Sequence, residues 1–387
     1  MAPSGGGVCC LHGASGMNKR ILVTGGAGFI GSHVADELLA AGWTVRALDN
    51  LEPQVHGPDR ERPGYLDPEV ELVRGDVRDP AAVSRALSRV DAVIHLAARV
   101  GVGQSMYDVV EYTSTNALGT ATLLEALARH PVERLVVASS MSVYGEGLYR
   151  NAAGRLFGSV ERDGGAVRRG EWEPIGPDGA ALEPVATPES KAPALASIYA
   201  LNKFDQERMC LLLGAQLGVP TVALRLFNVY GSRQALSNPY TGVLAIFASR
   251  LMNGQPPVVF EDGLQRRDFV AVADVARAFR AALSSDRAIG GVINVGSGRS
   301  FTVREVAEHL AAVLGLDIQP DVVGEYRVGD IRHCFADIER ARSWLGYEPR
   351  VGFDDGLAAL ADWLAGQVAI DRVPEMREEL RSRGLAV

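Results

Sequence analysis

Seven short apolar runs punctuate the chain from Lys19 onward: Ile21–Val23, Thr44–Leu48, Val70–Val73, Ala92–Leu96, Leu135–Ala138, Thr221–Leu224 and Val292–Val295. Between them, apolar residues return every three or four positions, as in Ser32–Ala41, Thr113–Arg129 and Tyr199–Leu217. That period lines one face of a helix, whereas short continuous runs suit strands buried on both faces. The alternation predicts an α/β fold, a doubly wound parallel sheet with helices on either side.

Two regions break the rhythm. Residues 147–193 are rich in Gly, Pro, Arg and Glu with little periodicity, and read as a long loop or insertion. Residues 231–265 and 300–350 hold two helical patterns and few strand signals, as interleaved pieces of a smaller C-terminal lobe would. The expected organisation starts with a flexible leader at 1–18, Met17 being a plausible internal start. A nucleotide-binding domain with the insertion follows at 19–227. A substrate lobe occupies mainly 228–368, returning to the sheet near 268–296, and a tail runs over 369–387.

At 47% hydrophobic and 22% charged residues, the 387-residue chain can build a large core and is neither disordered nor collagen-like. Its net charge of −8 argues against a nucleic-acid surface, so an anionic ligand would be met by local arginines or helix N-termini. Cys9, Cys10, Cys210 and Cys334 form neither a disulfide framework nor zinc-ligand spacing, and no metal is expected. No apolar run approaches the ~18 residues of a membrane span, and the start lacks signal-peptide regions. The expected location is the cytoplasm, with no membrane partner.

The first strand runs into Thr24-Gly25-Gly26-Ala27-Gly28-Phe29-Ile30-Gly31 and then directly into a helical pattern. Gly25 allows a tight turn, Gly28 lets backbone approach a pyrophosphate, and Gly31 lets helix and strand pack closely. Glycines also serve merely as turn-formers, but the strand–loop–helix setting favours a dinucleotide site. Asp49 ends the second strand 18 residues after Gly31. A carboxylate there accepts from both ribose hydroxyls and repels a 2′-phosphate, favouring NAD over NADP; the alternative is that Asp49-Asn50 only makes a turn. Asp76, after the third strand, suits either an adenine amino group or a helix N-cap.

Tyr199 and Lys203 stand at i and i+4 on one helix face. An ammonium beside a phenol favours the phenolate, which can take a hydroxyl proton while hydride leaves the same carbon. A solvated pair would show the same spacing. Ser139-Ser140, at a strand's carboxyl end where open α/β sheets bind ligands, raises the catalytic reading.

These segments, with His95–Ala98, Asn116, Ser139–Gly145, Arg225–Gly231 and Arg267–Val270, resemble the extended short-chain dehydrogenase/reductase family, in its nucleotide-sugar epimerase/dehydratase branch. The matches run from Arg20 to Pro349. The resemblance implies Tyr199 as catalytic base, Ser140 as its hydrogen-bonding partner and Lys203 as ribose ligand and electrostatic tuner. It implies an NAD site on Gly25, Gly28, Phe29, Ile30, Asp49, Asn50, Asp76, Val77, Leu96, Ala97, Ala98, Asn116, Tyr199 and Lys203. The substrate, a dTDP- or UDP-linked hexose, would meet Ser140, Met141, Ser142, Asn228, Arg267 and Arg327, the last three holding its diphosphate. The arginines are otherwise ordinary surface residues. A homodimer through the helices at 113–129 and 199–217 is also implied, although a face buried against the sheet would look the same.

Two departures narrow the reading. Where the branch's 4,6-dehydratases carry Asp-Glu, this chain has Met141-Ser142, neither of which can serve as acid or base for losing water. A redox cycle at C4, that of a 4-epimerase, is expected instead. Met141 suits the methyl group of a 6-deoxysugar or simply fills a gap. Ser140 and Tyr199 are also 59 residues apart, farther than is usual in the family. The intervening segment, with Leu51–His56 and Ala235–Tyr240, resembles the dTDP-L-rhamnose 4-epimerase group. That insertion is expected either as a lid over the sugar or as a surface elaboration. The rival readings are a UDP-hexose 4-epimerase, a 4-keto-sugar reductase or dehydrogenase, a UDP-uronate epimerase or decarboxylase, and a redox-silent NAD-binding sensor.

Overall fold

The computed structural model describes residues 19–386 except Val328; the expected leader, with Cys9, Cys10 and Met17, lies outside them. The seven apolar runs become β1 (Arg20–Thr24), β2 (Thr44–Asp49), β3 (Glu71–Arg74), β4 (Ala92–His95), β5 (Arg134–Ser140), β6 (Thr221–Leu226) and β7 (Val292–Val295). They join in one sheet ordered β7-β6-β5-β4-β1-β2-β3, with every neighbouring pair parallel.

Alternate side chains of each strand serve the two faces. Ile21 and Val23 pack on one side with Val34, Ala35 and Leu38 of α1 (Phe29–Ala40). Leu22 packs on the other with Val83 and Leu87 of α2 (Pro80–Leu87), Leu123 and Leu127 of α3 (Gly119–Arg129), and Cys210 of α4 (Ile198–Leu217). The chain reverses direction across the sheet between β1 and β4, and ligands of such folds gather at the strand carboxyl ends there. The second lobe has its own core, where α5 (Val243–Met252), α7 (Val303–Val313) and α8 (Phe353–Leu364) enclose Phe247, Phe269 and Leu310. Between α5 and α7 the chain forms α6 (Val272–Ser284), which packs on the sheet through Val275 and Phe279.

Two expectations need correction. Residues 147–193 are not a plain loop: Leu148–Arg150, Leu156–Phe157 and Glu183–Val185 form a three-stranded antiparallel sheet, with a short helix at Gly164–Arg168 between the second strand and the third. The expected tail at 369–387 contains α9 (Val373–Ser382), whose Val373, Met376 and Leu380 pack against Val258 and Phe260. Polar residues dominate α9, but its apolar ones fall on one stripe, the signal composition alone hides.

Candidate functional site

The strand ends and the second lobe enclose a cleft of about 590 Å3. At one end the β1–α1 turn fits a dinucleotide. Gly25 holds a φ of 69°, and a Cβ on it would meet the Ala97 backbone nitrogen at 3.0 Å. A Cβ on Gly31 would sit 2.1 Å from the Gly25 carbonyl oxygen. Gly28, by contrast, faces open space: its Cβ would approach only Gly25 O, at 3.4 Å. It starts α1 with no side-chain cap, so the first N–H groups and the helix dipole are free for a phosphate. Phe29 and Ile30 line the cleft beside it.

Asp49 ends β2 with each carboxylate oxygen accepting from backbone, Oδ2 from Ala27 N (3.0 Å) and Oδ1 from Leu51 N (2.9 Å). These bonds fix the carboxylate at the cleft wall. Asp76 is not the helix cap; Asp79 is, accepting from Ala81 N. Burial pushes the Asp76 carboxyl up, but hydrogen bonds from Arg78 and Asn50 outweigh it and hold the group below the usual range. Arg78, which sequence reasoning missed, lines the cleft next to Val77.

Leu96, Ala97 and Ala98 continue the wall past β4. Thr24 Oγ1 accepts from the Leu96 and Ala97 amides at 3.2 Å each. Asn116, which the resemblance makes both a cofactor residue and a support of the helix near the site, is absent from the cleft lining and bonds the loop after β4. It is fully buried, its Oδ1 accepting from Arg99 N (2.7 Å) and its Nδ2 donating to Arg99 O (3.0 Å). Its amide is consumed by the loop after β4, and its backbone lies in a π-turn at Ser114–Leu118.

At the cleft's centre, Ser197 caps α4 by accepting from Ala200 N, which sets Tyr199 in the first helical turn. Ser105 Oγ also accepts from Tyr199 N (3.0 Å). Burial pushes the Tyr199 phenol up and the neighbouring Ser140 hydroxyl pulls it back, while the Ser140 hydroxyl itself donates to Ser142 Oγ (3.1 Å). Ser140 ends β5 and also accepts from Ser142 N (3.1 Å). Burial lowers Lys203 to about 8, against opposing pulls from Cys210 and Glu207. Its ammonium donates to Gln206 Oε1 (2.7 Å), and Gln206 Nε2 donates to Thr120 Oγ1 (2.9 Å). Thr120 passes its own proton to Asn116 O (2.6 Å), so His95 Nε2, 2.9 Å away, is the donor there and Nδ1 accepts from Thr24. Gln206 and Thr120 were legible only as helix positions three or four past Lys203 and Asn116.

Met141 and Ser142 line the cleft beside Ser140. The described carboxylates on its walls are Asp49 and Asp76 at the ends of β2 and β3, Glu52 just beyond, and Asp330 in the second lobe, which is paired with Arg327. Asn228 brings an unpartnered, buried Oδ1 to the cleft. Arg267 donates to the Arg332 carbonyl (2.9 Å) and to the Ile331 carbonyl. Arg327 stacks 4.5 Å over the Phe260 ring. No residue of 147–193 lines the cleft. Arg99 also reaches the cleft, its charge met by Glu111 (3.5 Å) and by Glu52 and Asp108 (both 4.0 Å).

This arrangement matches known proteins across its length. Residues 21–156 and 175–296 match the NAD dependent epimerase/dehydratase family. The chain belongs to that family. It is 34% identical to the dTDP-L-rhamnose 4-epimerase of Burkholderia thailandensis, over 90% of this chain and 96% of the relative. The UDP-glucose 4-epimerase of Thermus thermophilus, solved with NAD, is 34% identical with a TM-score of 0.72, covering 90% of this chain and all of that one (100%). The UDP-glucose 4-epimerase of Thermotoga maritima, solved with UDP-glucose, is 30% identical with a TM-score of 0.74, covering 89% and 98%. This family member is an enzyme that uses NAD, and the open Gly28 turn and fixed Asp49 carboxylate fit that cofactor.

Proposed function

We propose that the chain is a nucleotide-sugar 4-epimerase that interconverts dTDP-L-rhamnose and dTDP-6-deoxy-L-talose. One observation carries the reading: Tyr199 and Lys203 stand on one helix and line the cleft, while Glu207, the carboxylate one turn beyond Lys203, is outside the lining and paired with Arg225. Oxidation at C4 needs one base; loss of water needs a further acid and base, which Met141 and Ser142 do not supply. Bound NAD accepts hydride from C4 and later returns it.

Tyr199 takes the O4 proton as the carbonyl forms, with Ser140 hydrogen-bonded to both the phenol and the sugar oxygen. Lys203 lowers the cost of the phenolate by its charge. Asn228, Arg267 and Arg327 hold the diphosphate while the 4-keto sugar turns to present its other face. Tyr199 then returns the proton to O4 with the configuration inverted. Protons and hydride balance within the cycle, so no external redox partner is needed.

The rhamnose assignment is supported by the apolar Met141 at the sugar end and by the Burkholderia relative. A UDP-hexose is the second reading, favoured by the Thermotoga structure with UDP-glucose. Incubation of the protein with dTDP-L-rhamnose or UDP-glucose, followed by NMR of the C4 proton, separates them. Inversion of the first supports our reading, inversion of the second alone moves the substrate, and inversion of neither removes the epimerase assignment. We also propose a homodimer through α3 and α4, whose neighbourhood exposes Val110, Leu118, Leu201 and Leu212. Light scattering at micromolar concentration checks it, and a monomer mass would exclude it.

A further inference from the structure

No residue of the insertion at 147–193 lines the cleft, yet it is fastened to the second lobe by a network of charges in which Arg332, Arg162 and Glu261 are buried and Glu173 and Asp262 are half-buried. Arg332 is wholly buried and donates to Glu173 Oε1 (3.0 Å from Nε), Glu261 Oε2 (2.9 Å) and both oxygens of Asp262 (2.6 and 2.9 Å). Arg162 donates to Glu261 Oε1 (2.7 Å) and to the Asp330 carbonyl (2.8 Å). Glu173 also bonds His333 Nε2 at 2.9 Å. Arg162 and Glu173 belong to the insertion; Glu261, Asp262 and residues 330–333 belong to the lobe.

Glu261 is also strained. It is 2% exposed and holds a φ of 53°, a left-handed backbone that non-glycine residues adopt at a cost. Such a conformation persists where surrounding contacts over-determine it, and Arg162 and Arg332 supply those contacts.

The segment so pinned is the one that both cleft arginines use. Arg267 donates to the carbonyls of Ile331 and Arg332, and Arg327 Nε donates to Asp330 Oδ2 (2.8 Å). We infer that the insertion is a positioning element: Arg162 and Glu173 fix residues 330–332, and through them Arg267 and Arg327, in the geometry that receives a nucleoside diphosphate. The inference rests on the proposed diphosphate role of those arginines. Planar guanidinium forks need fixed orientation to meet a diphosphate bidentately, and a brace behind them removes the entropy of orienting them at binding.

The test is calorimetric titration of the NAD-loaded protein with dTDP and with UDP, beside steady-state kinetics on the sugar nucleotide. Glu173→Gln is expected to weaken nucleoside-diphosphate binding and raise KM by about tenfold, the size of coupling found between residues of one ion-pair network, with kcat within about twofold and NAD content intact. Arg162→Lys, which keeps the charge but not the two-pronged reach, is expected to do the same more weakly and serves if the first variant does not fold. In an Arg267→Ala background the Glu173→Gln effect should largely vanish, which a merely structural role would not produce. Unchanged binding in both insertion variants, or full additivity with Arg267→Ala, overturns the inference. If the unsubstituted protein binds neither dTDP nor UDP, the diphosphate reading itself fails, and the positioning inference with it.

Discussion

Tyr199 is the residue on which the proposed chemistry turns. Burial disfavours its phenolate, and the Ser140 hydrogen bond offsets that only in part. Tyr199→Phe keeps the ring and removes the proton carrier, so kcat should fall about 10²–10⁴-fold with NAD still bound, as steady-state kinetics and the absorbance of the purified protein would record. His95 offers an independent test. Burial holds its imidazole at about 3 in the folded protein, below the ordinary value of 6.5, with the nearby Lys203 charge adding to the shift. Between those values the unfolded chain binds the extra proton, so this group's stabilisation is full above the upper value and is lost as pH falls toward the lower. The slope contributed is about 1.4 kcal/mol per pH unit at most. Denaturant unfolding of a His95→Gln variant at stepped pH should show a flatter acid limb than the parent.

The β1–α1 turn is the element with least tolerance. A Cβ at Gly31 would stand 2.1 Å from a backbone carbonyl oxygen, and no flexible side chain is there to give way. Gly31→Ala should displace α1 from the face of the sheet, costing roughly 1–3 kcal/mol as overpacking does, with loss of co-purified NAD; thermal unfolding and extracted nucleotide measure the two effects. The loop after β2 meets the second lobe across the cleft. Gln54 Nε2 donates to Gln104 Oε1 (3.1 Å) and to Asn238 Oδ1 (2.9 Å), and Tyr107 and Tyr240 share a hydroxyl contact of 2.6 Å nearby. An epimerase must keep its cofactor through turnover, and this bridge ties both walls of the cleft together. Gln54→Ala is expected to lose NAD several-fold faster on dialysis, a rate in the range that one or two hydrogen bonds control; equal retention would remove the bridge from the account.

Across the whole molecule, what was legible in the sequence follows from what kind of force holds each part. Most of the sheet strands were readable because strands buried on both faces must be apolar throughout, whereas β3, at the sheet edge with Glu71 and Arg74 exposed, shows only a short apolar centre. The glycine turn and the Tyr199–Lys203 pair were readable because local geometry dictates them. The insertion's architecture was not, since it is held by Arg162, Glu173 and Arg332, which meet residues 70 to 168 positions away through ion pairs and a hydrogen bond to a backbone carbonyl that leave no periodic trace. Asn116 was expected both at the cofactor and as a support of its helix, because an Asn before a helix reads the same whether its amide faces a ligand or a loop. α9 was overlooked because its polar majority outweighs the stripe that docks Met376 and Leu380 against the cleft.

The central claim is that hydride leaves and returns at C4 of one sugar with no net redox change. The measurement that tests it most directly is incubation of the purified protein, without added cofactor, with dTDP-L-rhamnose carrying deuterium at C4. The C4-inverted product should keep the deuterium at C4, with no isotope taken from solvent. Loss of the label to solvent, or loss of water from the sugar, would contradict it.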